Sequence, residues 1–192
     1  MMKKLLLSII VSLSAFAVNA QVTKDNVMIG ANVADFNFQF EQQTTLGITP
    51  KAAWFIKDRV AIGGYANFVF NHVNGSNGNT FTYGVGPLAR YYVLDDDINF
   101  LKQAKFFAEA HAGFEGSNNT VIDSNTNGLG IGFGPGIAYF LTPNIGLEAL
   151  LKYNGVIGFG SETYKSGLNL SIGFQMYLPS KKLTNIWEEV KK

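Results

Sequence analysis

A chain whose apolar residues fall at every second position over long stretches has few folds open to it. From Val60, the residues Val60, Ile62, Gly64, Ala66, Phe68 and Phe70 take one face of an extended segment. Ala61, Gly63, Tyr65, Asn67, Val69 and Asn71 take the other. A strand points successive side chains to opposite sides, so this segment is a strand with one apolar face and one mixed face. The split recurs. Phe106, Ala108, Ala110, Ala112 and Phe114 oppose Phe107, Glu109, His111, Gly113 and Glu115, and the apolar series Leu129 to Leu141 is backed by Gly130, Gly132, Gly134 and Gly136. From Leu168, an apolar face ending at Leu178 opposes Asn169, Ser171, Gly173, Gln175 and Tyr177.

Eight segments carry the pattern, at about 27–40, 45–56, 60–71, 80–93, 105–115, 128–141, 145–157 and 167–178. The first slips near Val33 and Ala34, as a β-bulge would make it slip. Each is long enough to cross a bilayer as a tilted strand, which takes about 9–11 residues. Pro135, Pro143 and the alternate glycines exclude a membrane helix over 129–151. The connections sort into two kinds. Those at 57–59, 95–104 and 142–144 fall at one end, and those at 41–44, 71–80, 116–128 and 160–166, richer in Asn, Gly and Ser, fall at the other. Short turns on one side and longer loops on the other are the habit of up-and-down barrels in outer membranes. The expected fold is all-β: an eight-stranded antiparallel up-and-down transmembrane β-barrel with a short C-terminal helical tail.

The start of the chain is expected to be removed. Residues 1–20 combine Lys3 and Lys4, an apolar run from Leu5 to about Val18, and small residues before Gln21, the pattern of a secretory signal. The barrel is expected over 21–178. The tail, 179–192, places Leu183, Ile186, Trp187 and Val190 on one helical stripe. It would lie on the inner leaflet surface, cap the barrel mouth or meet a periplasmic partner. Without Lys3 and Lys4, 13 basic residues face 14 acidic ones. A chain so near neutrality offers nothing to nucleic acid. It has no cysteine, hence no disulfide and no thiolate metal site. Charged residues make up only 15% of it, against roughly a quarter in ordinary domains, which suits strands with one face in lipid.

Three stretches repeat one phrase: GITPKAAWFI, GVGPLARYYV and GFGPGIAYFL. In each, a proline precedes an aromatic by four residues: Pro50 and Trp54, Pro87 and Tyr91, Pro135 and Tyr139. They are the second, fourth and sixth strands, so Trp54, Tyr91 and Tyr139 form an expected aromatic girdle at the periplasmic interface. Phe68, Phe114 and Tyr153, each eight residues into the third, fifth and seventh strands, form the other girdle. Proline lacks the N–H a ladder needs, so a ring of bulges or bends is expected where the three prolines stand, unless the strands descend from one duplicated hairpin.

GVGPLARYY after an Asn-rich loop, the signal ending AVNAQ and the eight-strand pattern resemble the small outer-membrane β-barrels of the Bacteroidetes, the OmpA/OmpX-like or porin-family proteins. The resemblance spans about residues 21–178. It implies architecture and location, the outer membrane of a Gram-negative bacterium with its lipopolysaccharide leaflet, and carries no catalytic residues. Such barrels often finish on a terminal aromatic, whereas here Tyr177 and Leu178 are followed by PSKKLTNIWEEVKK.

On the mixed faces lie Lys51, Arg90, Glu109, His111, Glu148 and Lys152. Positioned to meet in the lumen, they read as an ion-pair network that fills it, or else as a gate or proton site. His72 with Ser76, and His111 with Ser117, lack the spacing and the acidic third member of a hydrolytic site. Asp123 to Gly128 mimics the front of a calcium loop, but its twelfth position is Gly134. The run Asp95–Asp97 is a solvated turn, or a site for passing cations. No catalytic residue, metal or cofactor is expected. The function expected is a monomeric barrel with a structural or surface-interaction role, in envelope integrity or adhesion, with a side-chain-filled lumen and an extracellular or periplasmic protein partner left unidentified. A small-solute channel is the second reading and a soluble lipocalin-like ligand carrier the third.

Overall fold

The structure, a computed structural model, describes residues 22–36, 43–73, 79–93, 103–120, 123–160 and 164–179. The expected leader 1–20, Ser76, Asp95–Asp97 and residues 180–192 of the expected tail lie outside the described residues, as does the side chain of His72. Eight strands follow in order: β1 (Asn26–Phe36), β2 (Gln43–Lys57), β3 (Val60–Val73), β4 (Asn79–Val93), β5 (Ala104–Asn119), β6 (Ser124–Thr142), β7 (Ile145–Gly160) and β8 (Tyr164–Pro179). Each pairs antiparallel with its sequence neighbours, and β1 pairs with β8 to close the barrel. Closure leaves no sheet edge to satisfy elsewhere. There is no helix among the described residues.

The alternation read in the sequence becomes an inside and an outside. Along β6, Leu129 and Phe133 are 58% and 61% exposed, while Gly128, Gly130 and Gly132, which alternate with the apolar residues, are buried. Along β4, Val85, Pro87, Ala89, Tyr91 and Val93 face out, and Leu88, Arg90 and Tyr92 are buried. The barrel therefore carries a broad apolar face on the outside, while its buried ion pairs lie within.

The slip in β1 is a bulge: its register against β8 shifts between Asn32 and Ala34. The three prolines behave otherwise than expected. Pro50, Pro87 and Pro135 keep their partners on the preceding strand, Ala31, Gly64 and Ala108. Toward the following strand the bridges stop for two residues and resume in the same register. Ile48 pairs Phe68 and Lys51 pairs Tyr65, Val85 pairs Phe114 and Leu88 pairs His111, and Phe133 pairs Tyr153 and Gly136 pairs Leu150. These are gaps in the ladder rather than bulges. A strand residue aims its N–H at one neighbour only, so losing it interrupts one side and leaves the other intact.

The polar hairpins run further than the hydrophobic pattern suggests. Most of 116–128 is ladder: Asn118 pairs Asn125 and Asn119 pairs Ser124. β3 reaches Val73 and β4 starts at Asn79, while β7 reaches Gly160 and β8 starts at Tyr164. Here neither face needs apolar side chains, so the period-two signal fades while backbone pairing continues. β1 is described to Phe36 rather than to residue 40.

The other end is tight. Arg59, in the left-handed region at φ 70°, donates its N–H to the Val22 carbonyl at 2.9 Å and accepts from the Tyr92 N–H at 2.8 Å. The Lys24 N–H donates to Asp58 Oδ1 at 2.8 Å. Residues 22–25 are thus drawn across the base of the barrel, with Val22 buried. Above them the lumen is packed with Met28, Phe55, Tyr92, Phe107, Phe140 and Tyr177, the rings of Phe140 and Tyr177 lying 5.0 Å apart.

Candidate functional site

Above the aromatic base sits a lattice of charges built around Arg90, whose side chain is wholly buried. Arg90 stands directly across from Glu109 on β5, and its Nε (3.1 Å) and Nη2 both donate to Glu109 Oε2. Its Nη1 donates to Glu148 Oε2 at 2.6 Å and its Nη2 to Glu148 Oε1 at 3.2 Å. Lys51 Nζ donates to both oxygens of Glu109 at 3.1 Å and to Glu148 Oε1 at 3.4 Å. Gln175 Nε2 donates to Glu148 Oε1 at 3.0 Å. Strand neighbours make the room: Lys51 is flanked by Gly30, and Glu148 by Ala138 and Gly173. The guanidinium lies 4.0 Å over the Phe107 ring, and Nη1 also donates to the Tyr92 hydroxyl at 3.1 Å. Charges this deep hold their place only because each is matched and hydrogen-bonded.

A second, looser group follows on the side of the polar hairpins. Tyr65 donates its hydroxyl to Glu115 Oε1 at 2.6 Å, and His111 Nε2 approaches the same oxygen at 3.0 Å. Lys152 Nζ stands between the two groups, donating to Glu109 Oε1 at 3.4 Å and lying 5.9 Å from the centre of the Tyr65 ring. Here the lumen opens into a cavity of about 290 Å³, reaching from Lys51 and Lys152 up to Thr80, Thr126 and Ser166. The expectation of a wholly filled lumen is corrected to that extent. Among the described side chains the long ones end at Lys152 and Glu115, and above them the Thr, Ser, Asn, Val and Gly that line the cavity are too short to meet across the barrel.

Of the six charged candidates, Lys51, Arg90, Glu109 and Glu148 thus meet in one lattice. Lys152 touches its rim, and His111 belongs to the Tyr65–Glu115 group. Tyr65, Tyr92, Glu115, Gln175 and Tyr177 were not singled out by sequence reasoning, although Tyr92 shares strand parity with Arg90, Glu115 shares it with Glu109, and Tyr65, Gln175 and Tyr177 lie on the mixed faces of their strands. The aromatics Trp54, Tyr91, Tyr139, Phe68, Phe114 and Tyr153 all project outward, from 39% exposed for Tyr153 to 56% for Trp54. Ser117 accepts from Thr82 Oγ1 at 3.2 Å, while His111 Nε2 is turned to Glu115. The calcium-like stretch is extended: Ser124–Gly128 lies in β6, which strings its oxygens along a ladder instead of wrapping them around a point, and Asn127 accepts from the Tyr83 hydroxyl.

The glycines of β6 are cut to these side chains. A Cβ on Gly136 would lie inside van der Waals contact with the Phe107 ring, the ring that supports Arg90. Replacing Gly136 by Val should lower stability by about 1–3 kcal/mol through overpacking, although strand propensity favours valine. The unfolding midpoint in detergent or lipid measures it.

A closed barrel of eight antiparallel strands, apolar outside and charged within, has the architecture of the small outer-membrane barrels. Solved structures share it. Neisserial surface protein A is 18% identical with a TM-score of 0.53, over 79% of this chain and 95% of that one. The N-terminal β-barrel domain of Pseudomonas aeruginosa OprF is 14% identical with a TM-score of 0.51, over 81% and 98%. Ail, the attachment invasion locus protein of Yersinia pestis, is 11% identical with a TM-score of 0.51, over 81% and 100%. At these identities the likeness is one of fold. No protein-family model matches the sequence, and no curated protein matches it.

Proposed function

We propose that the chain is a monomeric outer-membrane barrel, exported by its N-terminal signal, of the OmpA/OmpX-like kind that its sequence resembles. Its role is structural or interactive, in envelope integrity or in surface contact through the polar hairpins. The observation that carries this reading is the inversion of the usual arrangement. Leu129, Ile131, Phe133, Val85, Leu168 and their like point away from the barrel, and the ion pairs point in. A soluble carrier would put apolar side chains against its ligand and would not expose so continuous an apolar surface to water. Lipid around the barrel accounts for both faces, with Trp54, Tyr91 and Tyr139 at one interface and Phe68, Phe114 and Tyr153 at the other.

The Arg90 lattice and the aromatic base beneath it argue for a lumen closed to ions. Reconstituted in planar bilayers, the protein should show no steady openings. In envelope fractions it should reach the outer membrane and change its gel mobility on boiling. Steady conductance would favour the small-solute channel. A soluble periplasmic protein without the mobility shift would overturn the membrane reading.

A further inference from the structure

The breaks in the ladder fall in a pattern that the packing of single strands does not explain. Three are the gaps left by Pro50, Pro87 and Pro135, between β2 and β3, β4 and β5, and β6 and β7. Another is the bulge at Asn32 and Ala34, between β8 and β1. They take every second seam around the closed sheet. The seams between them, β1–β2, β3–β4, β5–β6 and β7–β8, keep a register without breaks or shifts over their described length. Each of these unbroken pairs is joined on the side of the polar hairpins.

The breaks also share a level. Asn32 at the β8–β1 break pairs with Thr49 at the β2–β3 break, and Thr49 in turn reaches Asn67 across it. Lys152 stands at the β6–β7 break, and all four residues line the cavity. At the β4–β5 break, a Cβ on Gly113 would crowd the hydroxyl of Tyr65, another lining residue. This is where the long described side chains of the lumen end and the cavity begins. Below it, the lattice of Lys51, Arg90, Glu109, Glu148 and Gln175 ties β2, β4, β5, β7 and β8 together. Above it, the lining side chains are too short to cross.

A proline weakens its seam because the carbonyl opposite it loses a donor. By the continued register those carbonyls belong to Ala66, Ala112 and Leu151. Two of the breaks are spanned from the lumen side by side chains alone. Thr49 Oγ1 donates to Asn67 Oδ1 at 2.9 Å, and Asn32 Nδ2 to Ser171 Oγ at 2.6 Å. Breaks scattered at random would fall on both kinds of seam and at several heights.

We infer that the wall is built as four hairpin panels that pivot at this ring of breaks, so that the outer cavity widens and narrows while the charge lattice below stays fixed. The motion governs access to a vestibule and leaves the base closed.

The test uses the full chain folded in lipid nanodiscs. Successive residues of a strand send their N–H groups to opposite neighbours, so each strand carries its own control. Phe68, Phe114 and Tyr153 are the first residues paired across their seams on the cavity side of the breaks. Asn67, Glu115 and Asn154 beside them pair within panels. Hydrogen exchange followed by NMR should give protection factors at least about tenfold lower for the first three amides than for the second three. The chain has no cysteine, so spin labels can be placed at chosen pairs. Phe81→Cys with Leu168→Cys, on β4 and β8 above the breaks, should give a broader distance distribution than Ala89→Cys with Phe174→Cys below them. Pro87→Val and Pro135→Val change outward-facing residues and return the missing N–H. Each should raise protection at its own seam, at Phe114 or at Tyr153, and narrow the upper distribution. Equal protection at seam and panel amides, distributions of one width above and below, or no gain of protection in either proline variant would each overturn the inference. The heat-dependent mobility shift is read on the same samples, so failure of the membrane reading is told apart from failure of the hinge.

Discussion

Replacing Arg90 by Leu should cost about 3–5 kcal/mol of stability, the loss expected when one partner of a buried ion pair is removed. Glu109 and Glu148 would then share Lys51, with Lys152 at 3.4 Å from Glu109, and with Glu115 nearby the described carboxylates of the lumen would outnumber its described lysines around a lattice that is itself buried. The sharper part of the expectation is a reversal. Arg90→Leu combined with Glu109→Gln leaves Lys51 facing Glu148 and restores the charge balance, so the double variant should be more stable than Arg90→Leu alone. Such coupling is expected only between residues of one network. Arg90→Lys should fall between, because an ammonium keeps the charge but cannot fork to both carboxylates as the guanidinium does. Urea titrations of protein folded in lipid vesicles would rank the four proteins. If Arg90→Leu leaves stability unchanged and opens a conductance, the lattice is a gate, and its contribution to the fold is small.

The second large effect lies on the opposite face. Ile131 sits near the middle of β6 and points outward, 44% exposed. In a bilayer, Ile131→Arg should destabilise the barrel by about 2–4 kcal/mol, the cost of a basic side chain facing lipid near the midplane. In a water-soluble barrel the same exchange at so exposed a site would fall within about 0.5 kcal/mol. Refolding of wild type and variant into vesicles, followed against urea, separates these outcomes. A shift near zero would mean that the face is not in lipid.

These two residues also divide what was legible in the sequence from what was not. Strand parity alone assigned Ile131 and Arg90 to opposite faces, because in a barrel every side chain points either in or out. It also located the bulge, since a slip in alternation at Val33 and Ala34 is the local signature of one extra residue. The hairpin ends were misjudged for the complementary reason. Asn118, Asn119, Ser124 and Asn125 pair through their backbones, and where both faces are polar no hydrophobic period reports it. The prolines were visible as a repeat. That they interrupt the ladder on one side without shifting its register depends on which neighbour each missing N–H would have addressed.

Inside the lumen, the division falls between membership and contact. The sequence by itself determined which charged residues face inward, because parity is a local property of a strand. Only the closed barrel decided that Lys51, Arg90, Glu109 and Glu148 share one lattice while His111 turns to Glu115. The lattice partners lie from 19 to 97 residues apart along the chain, and their meeting depends on the stagger of the strands around the closed sheet. The cavity is likewise a property of closure. The short side chains that line its upper part can be read from the residues, but whether they leave space depends on how far apart eight tilted strands hold them.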